Sequence, residues 1–247
     1  IIEEVRAFAA AGATRLSVSG GTGSLYASSG GEMNPEAFVT LLHGMAEVMG
    51  PRNVSSPDIR VDCITDEILD AIRRYTIGWV FFGIESGSDR VLRLMGKGVA
   101  VRQVEEAVER CREHNLRVAG SFIVGYPGET KRDYEATKDL IAALSLDDVF
   151  VSSAEPIPGT PLADLAVRTP RDKNPAFMPH TGEYRALGLT ESEARSFDLM
   201  MHADMFRPQV RLVTDEVYDA YLTEAKKQGQ DIRAATELLL RYPRTGA

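Results

Sequence analysis

No stretch of about 18 apolar residues occurs in this chain, so nothing in it reads as a membrane-spanning helix. The N-terminus also lacks the basic region, apolar run and cleavage site of a secretory signal, and a cytoplasmic protein without a membrane partner is expected. Cysteine is nearly absent. The 247 residues hold two, Cys63 and Cys111, too far apart for a close-set metal motif and too few for a disulfide framework. The four histidines, His43, His114, His180 and His202, are equally scattered, so no metal ligand is assigned within the chain. Positive charge is also short: 28 Lys and Arg face 36 Asp and Glu, for a net charge of -8. That balance argues against a surface built to neutralise nucleic-acid phosphates, although a whole-chain charge does not describe a local groove.

What is present is the composition of an ordinary globular protein, 44% hydrophobic and 26% charged, long enough for one large core or two small ones. The chain opens at Ile1 directly into an amphipathic helix, with no initiator methionine. It reads as a piece of a larger protein.

Helix and strand signals alternate along the first two-thirds. Ile2, Val5, Phe8 and Ala9 fall at helical spacing and Gly12 ends that helix. Thr14 to Ser19 is a short β-branched strand running into a glycine-rich loop. Asn34-Pro35 opens a second helix that Gly50-Pro51 closes, and Thr65 caps a third. The run Ile77 to Ile84 is apolar at successive positions, as expected of a parallel strand covered on both faces, and residues 116–124 read the same way. Val101, Val104, Val108 and Cys111 mark one face of the helix between them. Thr130 and Asp133 form a capping-box pattern ahead of a helix to Leu144, and Val149 to Ser153 is the last strand.

Strands thus begin near positions 14, 54, 77, 116 and 148, at the repeat of about 30 residues typical of βα units. Periodicity alone gives an α/β fold and does not separate a barrel from a doubly wound sheet. After Ser153 the pattern changes to a proline-rich loop, 156–179, and then to helices near 190–206, 213–228 and 231–241, with no further strand. The division expected is a core over 1–164 and a C-terminal loop and helical extension over 165–247.

In parallel α/β folds the functional groups gather in loops after the carboxyl ends of strands. Ser19 to Ser24 offers backbone amides without bulk, suited to a carboxylate or phosphate, though a plain glycine turn looks the same. Glu85-Ser86-Gly87-Ser88 places a carboxylate at a strand mouth, where it can accept from a diol or an ammonium group; the plainer alternative is a helix cap by Ser88 with Glu85 in solvent. Gly120, Ile123 and Gly125 leave room for a flat ring against the second buried strand, or merely permit close packing. Arg60 could pair with a carboxylate or stand as a surface arginine. Cys63 and Cys111 read as small buried hydrophobes, and His114 and His202 as structural or solvated.

Taken together, FFGIESGSDRVLRLMGKG, VAGSFIVGYPGET and PIPGTPLAD resemble, in order and spacing, consecutive motifs of the radical S-adenosylmethionine (radical SAM) enzymes. The resemblance runs from about Ala13 to Asp164. It is strongest to members that carry a cobalamin-binding domain or act as methylthiotransferases, and the C-terminal region faintly resembles the archaeal enzymes that methylate a residue of methyl-coenzyme M reductase. It implies a partial (βα)6 barrel of the TIM type, here lacking its first strand. It also implies S-adenosylmethionine, a four-iron four-sulfur cluster and, for the cobalamin-linked subgroup, cobalamin as cofactors, with an electron donor of the flavodoxin or ferredoxin type. The substrate stays open, a protein among the candidates.

By the same resemblance Gly20 and Gly21 receive the methionine end of SAM, with Thr22 where the family usually has an acidic residue. Glu85 and Ser86 take the ribose position, Ile123 and Gly125 flank adenine, and Arg60 matches an arginine after a barrel strand. The family's Cys-x3-Cys-x2-Cys loop is absent from the sequence, and its thiolates are expected ahead of Ile1; no catalytic residue is assigned. In the family the cluster passes an electron to the sulfonium of SAM, giving a 5′-deoxyadenosyl radical. The function expected is that cleavage, in the service of cobalamin-assisted methyl transfer to an unactivated carbon. The alternatives are a SAM- or nucleotide-binding module without catalysis and a conventional eight-stranded barrel enzyme.

Overall fold

The computed structural model describes residues 1–18, 22–30, 32–157 and 159–174, together with the backbone of 177–178 and 183–184. The helix signals read between residues 2 and 144 are realised, and Asn34 and Thr65 cap their helices as expected. Helix α1 spans Ile2–Ala10 and stops before Gly12, whose φ of +92° suits glycine. Helix α2, Pro35–Met49, starts where the Asn34 side chain accepts from the Ala37 N–H, and α3, Asp66–Tyr75, where Thr65 accepts from the Ile68 N–H. Each such cap supplies about 1 kcal/mol by satisfying an amide that has no partner inside the helix.

Beyond α3 come strand β1, Trp79–Glu85, helix α4, Asp89–Leu94, and helix α5, Val101–Glu113. Strand β2, Arg117–Val124, helix α6, Lys131–Leu144, and strand β3, Asp148–Ser153, follow. The three strands form one sheet in the order β1-β2-β3. Asp147 and Ala154 donate backbone hydrogen bonds to Val118 and Val124, so pairing advances in the same direction along both chains and β2 and β3 are parallel.

The segments expected as strands near 14 and 54 meet only through a single parallel bridge, Leu16 to Val54, and Ile59 makes one parallel bridge to Phe82 in β1. The three-residue helical turn Pro51–Asn53 stands before Val54, and Pro57, which has no N–H to give to a ladder, follows it. The order of extended segments nevertheless runs with the sequence, each beside the next. A doubly wound sheet reverses its order at a switch point; this order is that of a βα barrel.

Burial corrects the expectation of strands covered on both faces. In β1 Val80, Phe82 and Ile84 are fully buried, while Trp79, Phe81, Gly83 and Glu85 are half-buried. The last residues of β2 alternate likewise, with Phe122 and Val124 buried and Ser121 and Ile123 half-buried. Continuous hydrophobicity had hidden a period of two that solvent access restores.

Two further corrections fall after Ser153. The expected loop over 156–179 contains helix α7, Pro161–Arg168, capped by the Thr160 side chain with Pro161 at its first position. And strands β4, Phe177–Met178, and β5, Glu183–Tyr184, pair antiparallel in a separate two-stranded sheet, where no strand was expected. The helices expected from 190 onward lie outside the described residues.

The described residues divide into two compact units. One comprises Ile1–Ile84, Leu92–Ser121 and Leu144–Val149; the other comprises Glu85–Val91, Phe122–Ala143 and the described residues from Phe150 on. A core cluster of the first packs Val5, Leu41, Met45 and Val54, with Ile2, Leu16 and Val18 around them. Among the described residues no helix is long and apolar enough to cross a membrane.

Candidate functional site

Within the first unit the structure brings the Thr22 loop against the segment that carries Arg60. The Gly23 N–H donates to the Asp58 carbonyl at 2.7 Å, and the Arg60 N–H donates to Ser24 Oγ at 3.3 Å. A Cβ on Gly23 would lie 2.4 Å from the Pro57 Cβ, so only glycine fits that approach. Thr22 is exposed and borders a cavity of about 520 Å³, along with Ser17, Tyr26, Phe38 and Asp58. The Arg60 guanidinium is held in a fork by Asp62, Nε to Oδ1 at 2.8 Å and Nη2 to Oδ2 at 2.6 Å. The hydrogen bonds that Arg60 donates to Asp62 push the Arg60 pKa further up and lower that of Asp62. Gly20 and Gly21, expected in the same loop, lie outside the described residues.

The second unit gathers Glu85, Ser86, Ile123 and Gly125. Glu85 ends β1 with φ at +71° and Gly125 follows β2 with φ at +72°, so both strands leave the sheet through a left-handed residue. For glycine that conformation is free; for glutamate it costs about 1 kcal/mol or more. Glu85 is half-buried at the mouth of its strand. Ser86 is fully buried, and its hydroxyl faces Thr137 of α6 at 3.2 Å. Ser88 does cap α4, through Oγ and the Val91 N–H at 3.5 Å, so that part of the plainer alternative holds beside the strand-end carboxylate.

Groups that the sequence marked weakly or not at all surround this loop. The capping box is present: the Thr130 N–H donates to Asp133 Oδ2 at 2.9 Å and the Asp133 N–H to Thr130 Oγ1 at 3.4 Å. The same Asp133 carboxylate also accepts from Ser88 Oγ at 2.6 Å and pairs with the guanidinium of Arg90. Desolvation pushes the carboxyl pKa of this buried residue upward, but the hydrogen bonds from Arg90, Ser88 and Thr130 overcome it and hold it well below the usual carboxylate range. Glu129 is buried and accepts from the Gly125 N–H through Oε2. Thr137 had no signal in the sequence, because a threonine inside a helix carries none until a loop is folded onto it.

The profile of the Radical SAM superfamily matches residues 1–141. The chain belongs to that superfamily. A protein of Methanocaldococcus jannaschii provisionally named a methylthiotransferase is 52% identical over 242 residues, 98% of this chain and 54% of that protein. The tRNA-2-methylthio-N(6)-dimethylallyladenosine synthase of Aromatoleum aromaticum is 33% identical over 147 residues, 58% of this chain and 33% of that one. The chain therefore spans about half, or less, of the length of these relatives. In solved structures the fold recurs in the radical SAM enzyme coproporphyrinogen III oxidase of Escherichia coli, with a TM-score of 0.55 at 17% identity over 75% of this chain and 42% of that one.

Membership in the radical SAM superfamily brings S-adenosylmethionine and a four-iron four-sulfur cluster as cofactors. The donor set at the β1 and β2 ends fits the first: a carboxylate for hydroxyl donors beside a strand end whose residue, Gly125, has no side chain. The cluster finds no ligand set among the described residues, which hold no group of three His, Cys, Asp or Glu able to bind a metal. Burial pushes the Cys63 thiol pKa up and that of Cys111 up to about 12.

Proposed function

We propose that this chain is the SAM-binding part of a radical SAM enzyme that transfers a one-carbon unit, a methyl or methylthio group, to an unactivated carbon. The carrying observation is Glu85: a carboxylate held in a left-handed conformation at a barrel strand end, within the region matched by the superfamily. When bound, SAM supplies the radical that activates the carbon. The chain's own residues bind and orient it, with Glu85 accepting from the ribose hydroxyls and Ile123 and Gly125 bounding the adenine. Ser86 contributes by shaping the loop that carries Glu85.

Methylthio transfer is favoured by the relative at 52% identity and by the synthase at 33%. Methyl transfer assisted by cobalamin is the competing outcome of the same test. The name of the Aromatoleum relative also weighs against reading the net charge of -8 as a bar to an RNA substrate.

The test is anaerobic reconstitution of the full-length protein with iron and sulfide, followed by SAM and a reductant. Formation of 5′-deoxyadenosine, with SAM affinity lowered about tenfold in Glu85→Ala as an acceptor at the strand mouth is lost, supports the proposal. Cobalamin retained through purification points to methyl transfer, and sulfur found in the product points to methylthio transfer. No cluster and no 5′-deoxyadenosine would leave a binding module in place of the enzyme.

A further inference from the structure

The loop that carries Glu85 is bonded to a neighbouring helix, and its first residue sits in a conformation that non-glycine residues avoid. What fixes it is a pair of side chains one turn apart on α6, Asp133 and Thr137, together with Arg90 from α4.

The direction of each proton can be followed. Thr137 is fully buried, and its Oγ1 donates to the Asp133 carbonyl at 3.0 Å while accepting from the Gly87 N–H at 2.9 Å. A hydroxyl has one proton, so the contact of 3.2 Å between Ser86 Oγ and Thr137 Oγ1 is donated by Ser86. Ser86 Oγ accepts in turn from the Ser88 N–H at 3.1 Å. The Ser86 hydroxyl is thus committed to α6.

Gly87 lies so close to that helix that a Cβ would stand 2.4 Å from the Ala136 carbonyl oxygen. Asp133 takes the other end of the loop through Ser88 Oγ and reaches the β2 loop through Thr130. Arg90 completes the frame, pairing with Asp133 and donating to the Gly128 carbonyl at 2.7 Å.

We propose that Asp133, Thr137 and Arg90 are positioning residues for the cofactor, which lock the Glu85–Ser88 loop to the Gly125–Thr130 loop and so present Glu85 in one fixed place. Several buried hydrogen bonds outweigh the strain of one left-handed residue, so the frame keeps Glu85 in a conformation it would otherwise leave. A carboxylate preorganised in this way loses less freedom when it meets a ligand. The proposal rests on the reading that Glu85 meets SAM.

SAM affinity of the cluster-reconstituted full-length protein, measured by calorimetry, separates the two ideas. Thr137→Val keeps the shape and removes a hydroxyl that meets Gly87, Ser86 and the Asp133 carbonyl; affinity is expected to fall at least about five- to tenfold, the loss for a single buried hydrogen bond. Thr137→Ser returns the hydroxyl and is expected to restore affinity to within about twofold. Ser86→Ala should also weaken binding, and the double variant should lose less than the sum of the two single losses, because both remove the Ser86–Thr137 bond.

Equal weakness of Thr137→Val and Thr137→Ser would mean that packing matters and the hydroxyl does not, and the proposal falls. Weakened binding in Glu85→Ala with none in Thr137→Val or Ser86→Ala also sinks the frame while leaving the cofactor reading intact. Unchanged binding in all of them removes the cofactor reading and the frame with it. Should Thr137→Val not fold, Ser86→Ala carries the same decision.

Discussion

The ends of β1 and β2 solve one backbone problem in two ways. Both strands turn out of the sheet through a residue with φ near +71° to +72°, glutamate in the first and glycine in the second. Glycine takes that conformation without cost, so at β2 the backbone alone sets the residue. At β1 the backbone would also prefer glycine, and a glutamate stands there instead, at about 1 kcal/mol or more of strain. A strained side chain kept in place by a surrounding frame points to work done by that side chain.

Three substitutions break or sharpen this contrast. The largest effect is expected away from both turns, at Gly87, where an added methyl group collides with the backbone of α6. Gly87→Ala should lose about 3 kcal/mol of stability in chemical denaturation, because neither backbone can yield. A loss below 1 kcal/mol would mean that the loop is not pressed against the helix.

Next comes Gly125→Val, which forces a β-branched residue into the left-handed region and should destabilise the fold by about 2 kcal/mol while blocking SAM cleavage. Retained cleavage would show that the β2 end does not border the adenine. The smallest effect, and the most telling, is expected at Glu85 itself. Glu85→Gly relieves the strain but frees the unfolded chain, so stability should rise by about 0.5 kcal/mol while SAM affinity falls. A variant less stable than the parent would mean that the glutamate holds the fold together, and the contrast between the two strand ends would be lost.

Much of the fold was legible in the amino-acid order because its signals are local. Asn34, Thr65 and Thr130 mark helix starts through bonds to amides a few residues away, and each is used as expected. Runs of apolar residues gave β1 to β3 in place. The same locality failed where pairing decides: the segments near 14 and 54 have strand composition, yet each makes a single bridge. The helix over 161–168 was missed although Thr160-Pro161 announces it, since the prolines on either side read as loop.

For the site, the sequence alone determined which groups exist and where they stand along the chain: Glu85 at a strand end, glycines where backbone must come close, Asp133 at a helix start, and an order of motifs that names a superfamily. Only the tertiary structure decided how they are used. It turned Asp133 from the cap of its own helix into the acceptor for Ser88 and Arg90, committed the Ser86 hydroxyl to Thr137, and set Asp62 against Arg60. A hydrogen bond across 45 or 51 residues of sequence leaves no trace in local spacing; it exists once the chain has folded both partners to the same place.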